Sequence, residues 1–234
     1  MKTELPLEID SLNHGRRQIL FPVERVFNAG WAASNRAALD HHIDELRSLG
    51  VSPPRHVPTL YALCSYLATT SPSVPVHGAE TSGEVEYVLL WFQGELFVTV
   101  GSDHTDRQLE SFSIPKAKNA CANVIAPRVW RFDEVAEHFD RLQLRSHVHR
   151  GAGTELYQRD VCGTLLQPSY WLDDVVRRAG GLTHGLVFFS GTIGTEKGLI
   201  AGDGYTVEMT DPVANRTITH TYRCEALTGA IEDF

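Results

Sequence analysis

The stretch from Glu84 to Asp103, EVEYVLLWFQGELFVTVGSD, constrains the fold of this chain more than any other. Two runs of β-branched, aromatic and aliphatic residues flank Gln93-Gly94, a pair that reads as the two-residue turn of a hairpin. Side chains two residues apart on a strand leave the same face. Glu84 and Glu86 therefore share a face, while Val85 and Tyr87 point to the other. Antiparallel register about that turn pairs Glu86 with Val100 or Gly101, and Glu84 with Ser102 or Asp103. Asp103 then stands beside both glutamates. Three carboxylates so close repel one another unless a cation sits among them or one stays protonated. An all-oxygen cluster suits a hard divalent ion, Mg2+ or Mn2+, that keeps positions open for water or substrate. The alternative is an ordinary solvated strand face, against which the returning aspartate weighs.

Around the hairpin the pattern alternates in type. Ser34 to Leu49 has Leu39, Ile43 and Leu46 at helical spacing, Ser34 or Asn35 to cap it, and Gly50 beyond its end. Asp133 to Leu142 and Leu172 to Ala179 read as two further helices, which make a helical insertion over about 132–180. Gly185 to Phe189, Tyr205 to Thr210 and Thr217 to Cys224 read as strands, with Asp211-Pro212 opening a turn. The expected fold class is α+β: a helical N-terminal segment, a mostly antiparallel β core and a helical insertion, within one domain over 1–234.

The site would sit in an acidic chain. With 21 Lys and Arg against 29 Asp and Glu, the net charge of −8 argues against nucleic acid as a partner. No apolar run approaches the roughly 20 residues that cross a bilayer, so no membrane partner is expected. The first residues, MKTELPLEID, lack the apolar core of a secretory signal, which points to a cytoplasmic protein. Cys64, Cys121, Cys162 and Cys224 show no metal-ligand spacing and no disulfide framework.

SGEVEYVLL followed by GSDHTDRQLE resembles the metal-binding core of the fumarylacetoacetate hydrolase superfamily, in which an E-x-E strand and a later D-x-[ST]-x-R segment hold Mg2+ or Mn2+. The resemblance implies that Glu84, Glu86 and Asp103 are the ligands, and that Arg107 is the arginine that follows. The segment from Asp40 to Gly50, with the prolines after it, is similar to the family's D-H-x-x-E stretch. His42 and Glu45 then become a catalytic base and its partner. Lys118 falls where the family has an active-site lysine, with Lys116 as the competing choice. Ser190-Gly191-Thr192 looks like its T-G-T segment, and Ala201-Gly202-Asp203 like its P-G-D. Ser102 stands for the usual Asn and Thr105 for Ser, and the insertion has no counterpart, which indicates a divergent bacterial branch.

Helical geometry adds a separate reason for His42. At about 100° per residue, His42 lies within about 80° of Leu39, as do Leu46 and Leu49, whereas His41 falls on the opposite side. Glu45, three residues on, can orient the imidazole. Arg107 either clamps a substrate carboxylate or neutralises Asp103 or Glu110. Gly191 and Thr192 can offer an N–H and a hydroxyl to a substrate oxygen, or form a plain turn. His147-Val148-His149 with Glu155 is a near match to a cupin H-x-H…E site, the rival fold. GTIGTEKG lacks the Ser or Thr and the following helix of a phosphate loop.

The resemblance implies a hydrolase that cleaves a C–C bond in a small, anionic keto or dioxo acid, working as a homodimer. The alternatives are a decarboxylase, hydratase or isomerase on the same site, a cupin-like enzyme, and a binding protein for small acids that performs no catalysis.

Overall fold

The computed structural model describes residues 3–35 and 56–227. The chain opens not on a helix but on three strands, β1 (Thr3–Ser11), β2 (Gly15–Val23) and β3 (Arg25–Gly30). This corrects the expected helical N-terminal segment. Leu5, Leu7 and Ile9 alternate with Glu4, Pro6, Glu8 and Asp10, a period of two that buries one face. The helix expected over Ser34 to Leu49, with His42 and Glu45, lies outside the described residues apart from its first two positions.

Next come β4 (Thr59–Leu63), β5 (Ala68–Thr69), β6 (Ser73–His77) and β7 (Thr81–Ser82). The central hairpin follows as β8 (Val85–Phe92) and β9 (Glu95–Asp103), joined at Gln93 (φ 52°) and Gly94 (φ 84°). Two positive φ values in a two-residue loop are those of a type I′ turn, whose twist matches the strands it joins. A short strand β10 (Thr105–Asp106) leads into helices α1 (Arg107–Phe112) and α2 (Ile114–Lys118), then β11 (Asn123–Ile125) and β12 (Arg128–Arg131).

The insertion is only partly helical. Asp133 to Leu142 forms two short 3-10 turns, interrupted at His138 (φ −135°), yet Val135, Phe139 and Leu142 are buried as the apolar spacing requires. After them run β13 (Gln143–Arg150) and β14 (Gly153–Val161), then α3 (Pro168–Ala179), the one expected helix of the insertion that forms. The chain closes with β15 (Leu186–Phe189), β16 (Gly204–Asp211) and β17 (Arg216–Leu227).

Among the described residues the strands form a ten-stranded sheet in the order β2-β1-β12-β9-β8-β15-β3-β4, with β11 beside β9 and β5 beside β11. A second sheet runs β14-β13-β16-β17-β6, and β7 pairs with β10. Both larger sheets are mixed, with parallel pairs β1·β12, β3·β15, β5·β11 and β6·β17 among antiparallel ones. The large sheet is curled. Four strand spacings separate β2 from β8, roughly 19 Å in a flat sheet. The rings of Phe21 and Phe92 are nevertheless 5.7 Å apart.

Inside the curl, Leu5, Phe21, Val26, Tyr61, Val88, Leu90, Ile125 and Phe189 share one core. On the other face Tyr87, Leu89, Val100 and Trp130 pack with α3 residues Trp171 and Val175 and with second-sheet residues Val207, Met209 and Ile218. The hairpin is thus covered on both sides, which explains its nearly continuous apolar sequence. No helix among the described residues is long and apolar enough to cross a membrane.

Candidate metal centre

The hairpin register is the one its turn predicts: Glu86 faces Gly101, Val85 faces Ser102, and the Asp103 N–H donates to the Glu84 carbonyl at 3.1 Å. Carboxylate oxygens of Glu84, Glu86 and Asp103 lie within 4.8 Å of one another and could hold a metal ion. Glu86 and Asp103 are wholly buried, and Glu84 is partly exposed at the mouth.

Each carboxylate is held differently. Glu86 accepts from the Gly191 N–H at 2.9 Å and from Asn28 Nδ2 at 3.2 and 3.3 Å. Asp103 Oδ2 is bonded by Lys118 Nζ, which also lies 3.7 Å from Glu84 Oε2. Asp103 Oδ1 is buried without a hydrogen-bond partner. Arg107 Nη2 pairs with Glu84 at 3.0 Å, its Nη1 with Glu110 at 2.8 Å, and its Nε donates to Ser82 Oγ at 2.7 Å.

These neighbours set the charge. Burial, reinforced by Asp103, pushes the Glu86 carboxyl well above its ordinary range. Burial raises Asp103 to about 6, against the opposing pull of Lys118. Burial alone would lower the Lys118 and Arg107 pKa values. Asp103 in the first case, and Glu84 with Glu110 in the second, hold them above normal instead. Two cations against three crowded acids leave an electron-rich cluster with an unused acceptor on Asp103, a donor set that fits a hard dication.

Lys116, the competing lysine, lies over the Phe112 ring at 5.8 Å. Gly191 and Thr192 approach the cluster but are engaged within the protein. The Gly191 N–H is used by Glu86; Thr192 Oγ1 donates to the Val85 carbonyl at 2.8 Å and accepts from Gln158 Nε2 at 2.8 Å. Gly191 has φ 81°, and a Cβ there would lie 2.9 Å from Ala32 Cβ and 3.0 Å from the Ala29 carbonyl, so a side chain would strain this turn.

The cupin alternative does not survive the topology. His147 and His149 flank buried Val148 on β13, as alternation requires, but His149 is bonded through both ring nitrogens to Thr154 and Thr206 hydroxyls at 3.0 and 2.8 Å. Neither histidine joins a metal-competent group among the described residues.

Behind the carboxylates runs a buried polar chain that sequence reasoning missed. The Glu84 N–H donates to Ser102 Oγ at 3.1 Å, Ser102 Oγ meets Tyr222 Oη at 2.8 Å, and Tyr222 Oη meets His104 Nδ1 at 2.9 Å. His104 Nε2 ends the chain at Thr81 Oγ1, 2.9 Å away. Burial lowers the His104 pKa to about 3, with Arg107 adding to the effect, so the ring is neutral. A Cβ at Gly83 would collide with both Tyr222 Oη and Ser102 Oγ, so the glycine before Glu84 admits this chain of hydroxyls. Tyr222→Phe removes the central hydroxyl and leaves two buried groups short of a partner, a loss of about 1–3 kcal/mol. Isothermal titration with Mn2+ should show affinity falling about tenfold, the scale typical of groups that orient ligands. Unchanged affinity in a folded variant would show that the chain does not position Glu84.

A sequence profile for proteins of unknown function (DUF2848) matches residues 29–222. No curated protein matches the sequence. Among solved structures, fumarylpyruvate hydrolase from Pseudomonas aeruginosa in complex with Mn2+ and pyruvate is similar, with TM-score 0.64 and 19% identity over 97% of this chain and 99% of its own. The 5-carboxymethyl-2-hydroxymuconate delta-isomerase from Mycobacterium smegmatis has TM-score 0.61 and 18% identity, covering 91% of this chain and 81% of its own. A 2-keto-3-deoxy-D-arabinonate dehydratase complexed with magnesium and 2,5-dioxopentanoate has TM-score 0.58 and 16% identity, covering 92% and 78%. Three reactions on one fold mean that likeness of fold does not select the chemistry. The chain belongs to the DUF2848 family and is built on the fold of the fumarylacetoacetate hydrolase superfamily.

Proposed function

We propose that this chain is a Mg2+- or Mn2+-dependent enzyme acting on a small keto or dioxo acid, and that its reaction is hydrolysis of a C–C bond. The observation that carries the reading is the close group of partly exposed Glu84 and buried Glu86 and Asp103, with an unpartnered oxygen on Asp103. These three residues are the proposed ligands. When bound, the ion supplies Lewis-acid stabilisation for negative charge that develops on a keto oxygen.

The protein groups divide the remaining work. Arg107 and the chain from Ser102 to His104 hold Glu84, while the Gly191 N–H and Asn28 hold Glu86. Gly191 and Thr192 thus act beside the cluster through bonds inside the protein. Lys118 keeps an ammonium at the cluster, where it can stabilise an anionic substrate oxygen. His42, with Glu45, is the proposed base for water. Hydrolysis places the hydroxyl of water on the acyl carbon and its proton on the departing carbon.

Hydrolysis is placed first because the E-x-E and D-x-T-x-R segments resemble those of the fumarylacetoacetate hydrolase superfamily. A screen of acylpyruvates, oxaloacetate and unsaturated keto acids with Mg2+ and with Mn2+ tests it. The expected result is release of pyruvate from an acylpyruvate, abolished by EDTA and restored by added metal. Turnover indifferent to chelator would remove the metal from the reading. Dehydration without C–C cleavage would replace the hydrolase by the second reaction class.

A further inference from the structure

β11 lies beside the cluster, and its register carries information that its short sequence hides. Asn123 is opposite Asp103 and Ile125 is opposite Gly101 in the antiparallel β11·β9 pair. Gly101 is in turn opposite Glu86 across β9·β8. Residues directly opposite in an antiparallel pair point to the same face. Asn123 therefore projects from the carboxylate face, one strand beyond Asp103 and on the flank away from the glutamates. Its partner on the other side is Ala68 on β5, which offers only a methyl group.

Asn123 is wholly buried, and neither its Nδ2 nor its Oδ1 has a hydrogen-bond partner. Asn28 uses one end of its amide at Glu86, and Asn119 and Gln158 use both. Asn119 bonds the Pro115 and Ala62 carbonyls and accepts from the Cys64 N–H. Gln158 accepts from the Val85 N–H and Ser146 Oγ and donates to Thr192 Oγ1 and the Ile193 carbonyl. An unbonded buried amide costs roughly 1–3 kcal/mol, and both of its ends are unbonded here. Across the strand, Asp103 Oδ1 is an equally unpartnered acceptor. Asp103 Oδ1 is left for a cation, and Asn123 Nδ2 is a buried donor beside it, free for an oxygen of a bound ligand.

We propose that Asn123 is a substrate-binding residue of this site, whose Nδ2 donates to a carboxylate or keto oxygen of the bound acid. The inference rests on the metal-dependent keto-acid reading and adds a contact to it. Glu84 and Glu86 lie on the other side of Asp103, so Asn123, on the far flank, would meet the organic ligand rather than an ion held by the three carboxylates. Its neutral amide recognises an oxygen without adding to the charge that Lys118 already supplies.

The test uses the full chain, stripped with EDTA, with oxalate as the probe because it carries two adjacent oxygen-bearing carbons. Mn2+ is titrated first, then oxalate into the Mn2+-loaded protein, for wild type and Asn123→Leu. Mn2+ affinity should stay within threefold, while oxalate binding weakens at least tenfold. The leucine variant should melt no lower than wild type without ligands, because an apolar group replaces unbonded polar atoms. If it does not fold, Asn123→Ser is measured with the same expectations for both ligands. Unchanged oxalate affinity, or Mn2+ affinity falling in parallel with oxalate, overturns the proposal, as does a wild type that takes Mn2+ but no oxalate. A wild type that binds no Mn2+ brings down the metal reading itself and this contact with it, a result distinct from those failures.

Discussion

In a Glu86→Gln variant, Mn2+ is expected to leave the melting temperature unchanged, whereas the metal-free variant melts no lower than the metal-free wild type. The two halves of this result have one cause. Glu86 is wholly buried beside Asp103 and Glu84, and burial together with Asp103 raises its pKa. Without a cation its charge is a liability, and a neutral isostere relieves it. The local bonds can be kept: the glutamine carbonyl accepts from the Gly191 N–H, and a flipped Asn28 offers Oδ1, which has no partner, to the new amide. With a cation the same carboxylate is a ligand, and losing it removes the gain. At a hundredfold excess over Kd, a ligand stabilises its protein by about 2.7 kcal/mol. For a chain of this length that is about 5–11 °C in Tm. Differential scanning calorimetry with and without Mn2+ reads both halves. A variant that retains the Mn2+-induced rise would exclude Glu86 as a ligand.

Lys118→Met should show the opposite pattern, a large loss without metal that metal repairs. Lys118 is buried, bonded to Asp103 and 3.7 Å from Glu84. Removing one partner of a buried ion pair costs about 3–5 kcal/mol, because the other charge is left uncompensated. That corresponds to a Tm lower by about 6–20 °C. A bound dication supplies compensating charge, so saturating Mn2+ should recover much of the deficit. The sign with pH follows from Asp103, whose pKa burial raises to about 6 even with Lys118 present. A carboxyl raised in the folded state binds more protons there than in the unfolded chain, so its stability contribution is lost as pH rises through the folded pKa. Without the lysine this loss grows, and the deficit of Lys118→Met against wild type should be small at pH 5 and large at pH 8. Equal deficits at the two pH values would show that Lys118 packs there without acting as a counter-ion.

The parts of the site legible in the sequence are those that local geometry dictates. A two-residue turn and strand alternation suffice to put Glu84, Glu86 and Asp103 on one face, because both rules act within twenty residues. The N-terminal strands carried the same signal in Leu5, Leu7 and Ile9, and reading a helical start overlooked it. Over Asp133 to Leu142, spacings of three and four residues fit 3-10 turns as well as an α-helix, and Val135, Phe139 and Leu142 are buried either way. β13 offers only Leu144, Ser146 and Val148 to its buried face, too weak a run to announce a strand, and its pairing with β14 and β16 makes it one.

The sequence by itself determined the carboxylate triad, its turn and the class of ion that such oxygens suit. Which neighbours complete the site was decided by the tertiary structure alone. Asn28 reaches Glu86 from 58 positions away, and Tyr222 reaches Ser102 from 120. Asn123 stands opposite Asp103 only because β11 settles in register against β9. Arg107 is set against Glu84 and Glu110 by the fold around it. Alternation along a strand depends on backbone sterics at each residue and is written locally. Which strand lies beside which, and in what register, depends on burying the apolar faces of the whole curled sheet together, and no short window of sequence holds that information.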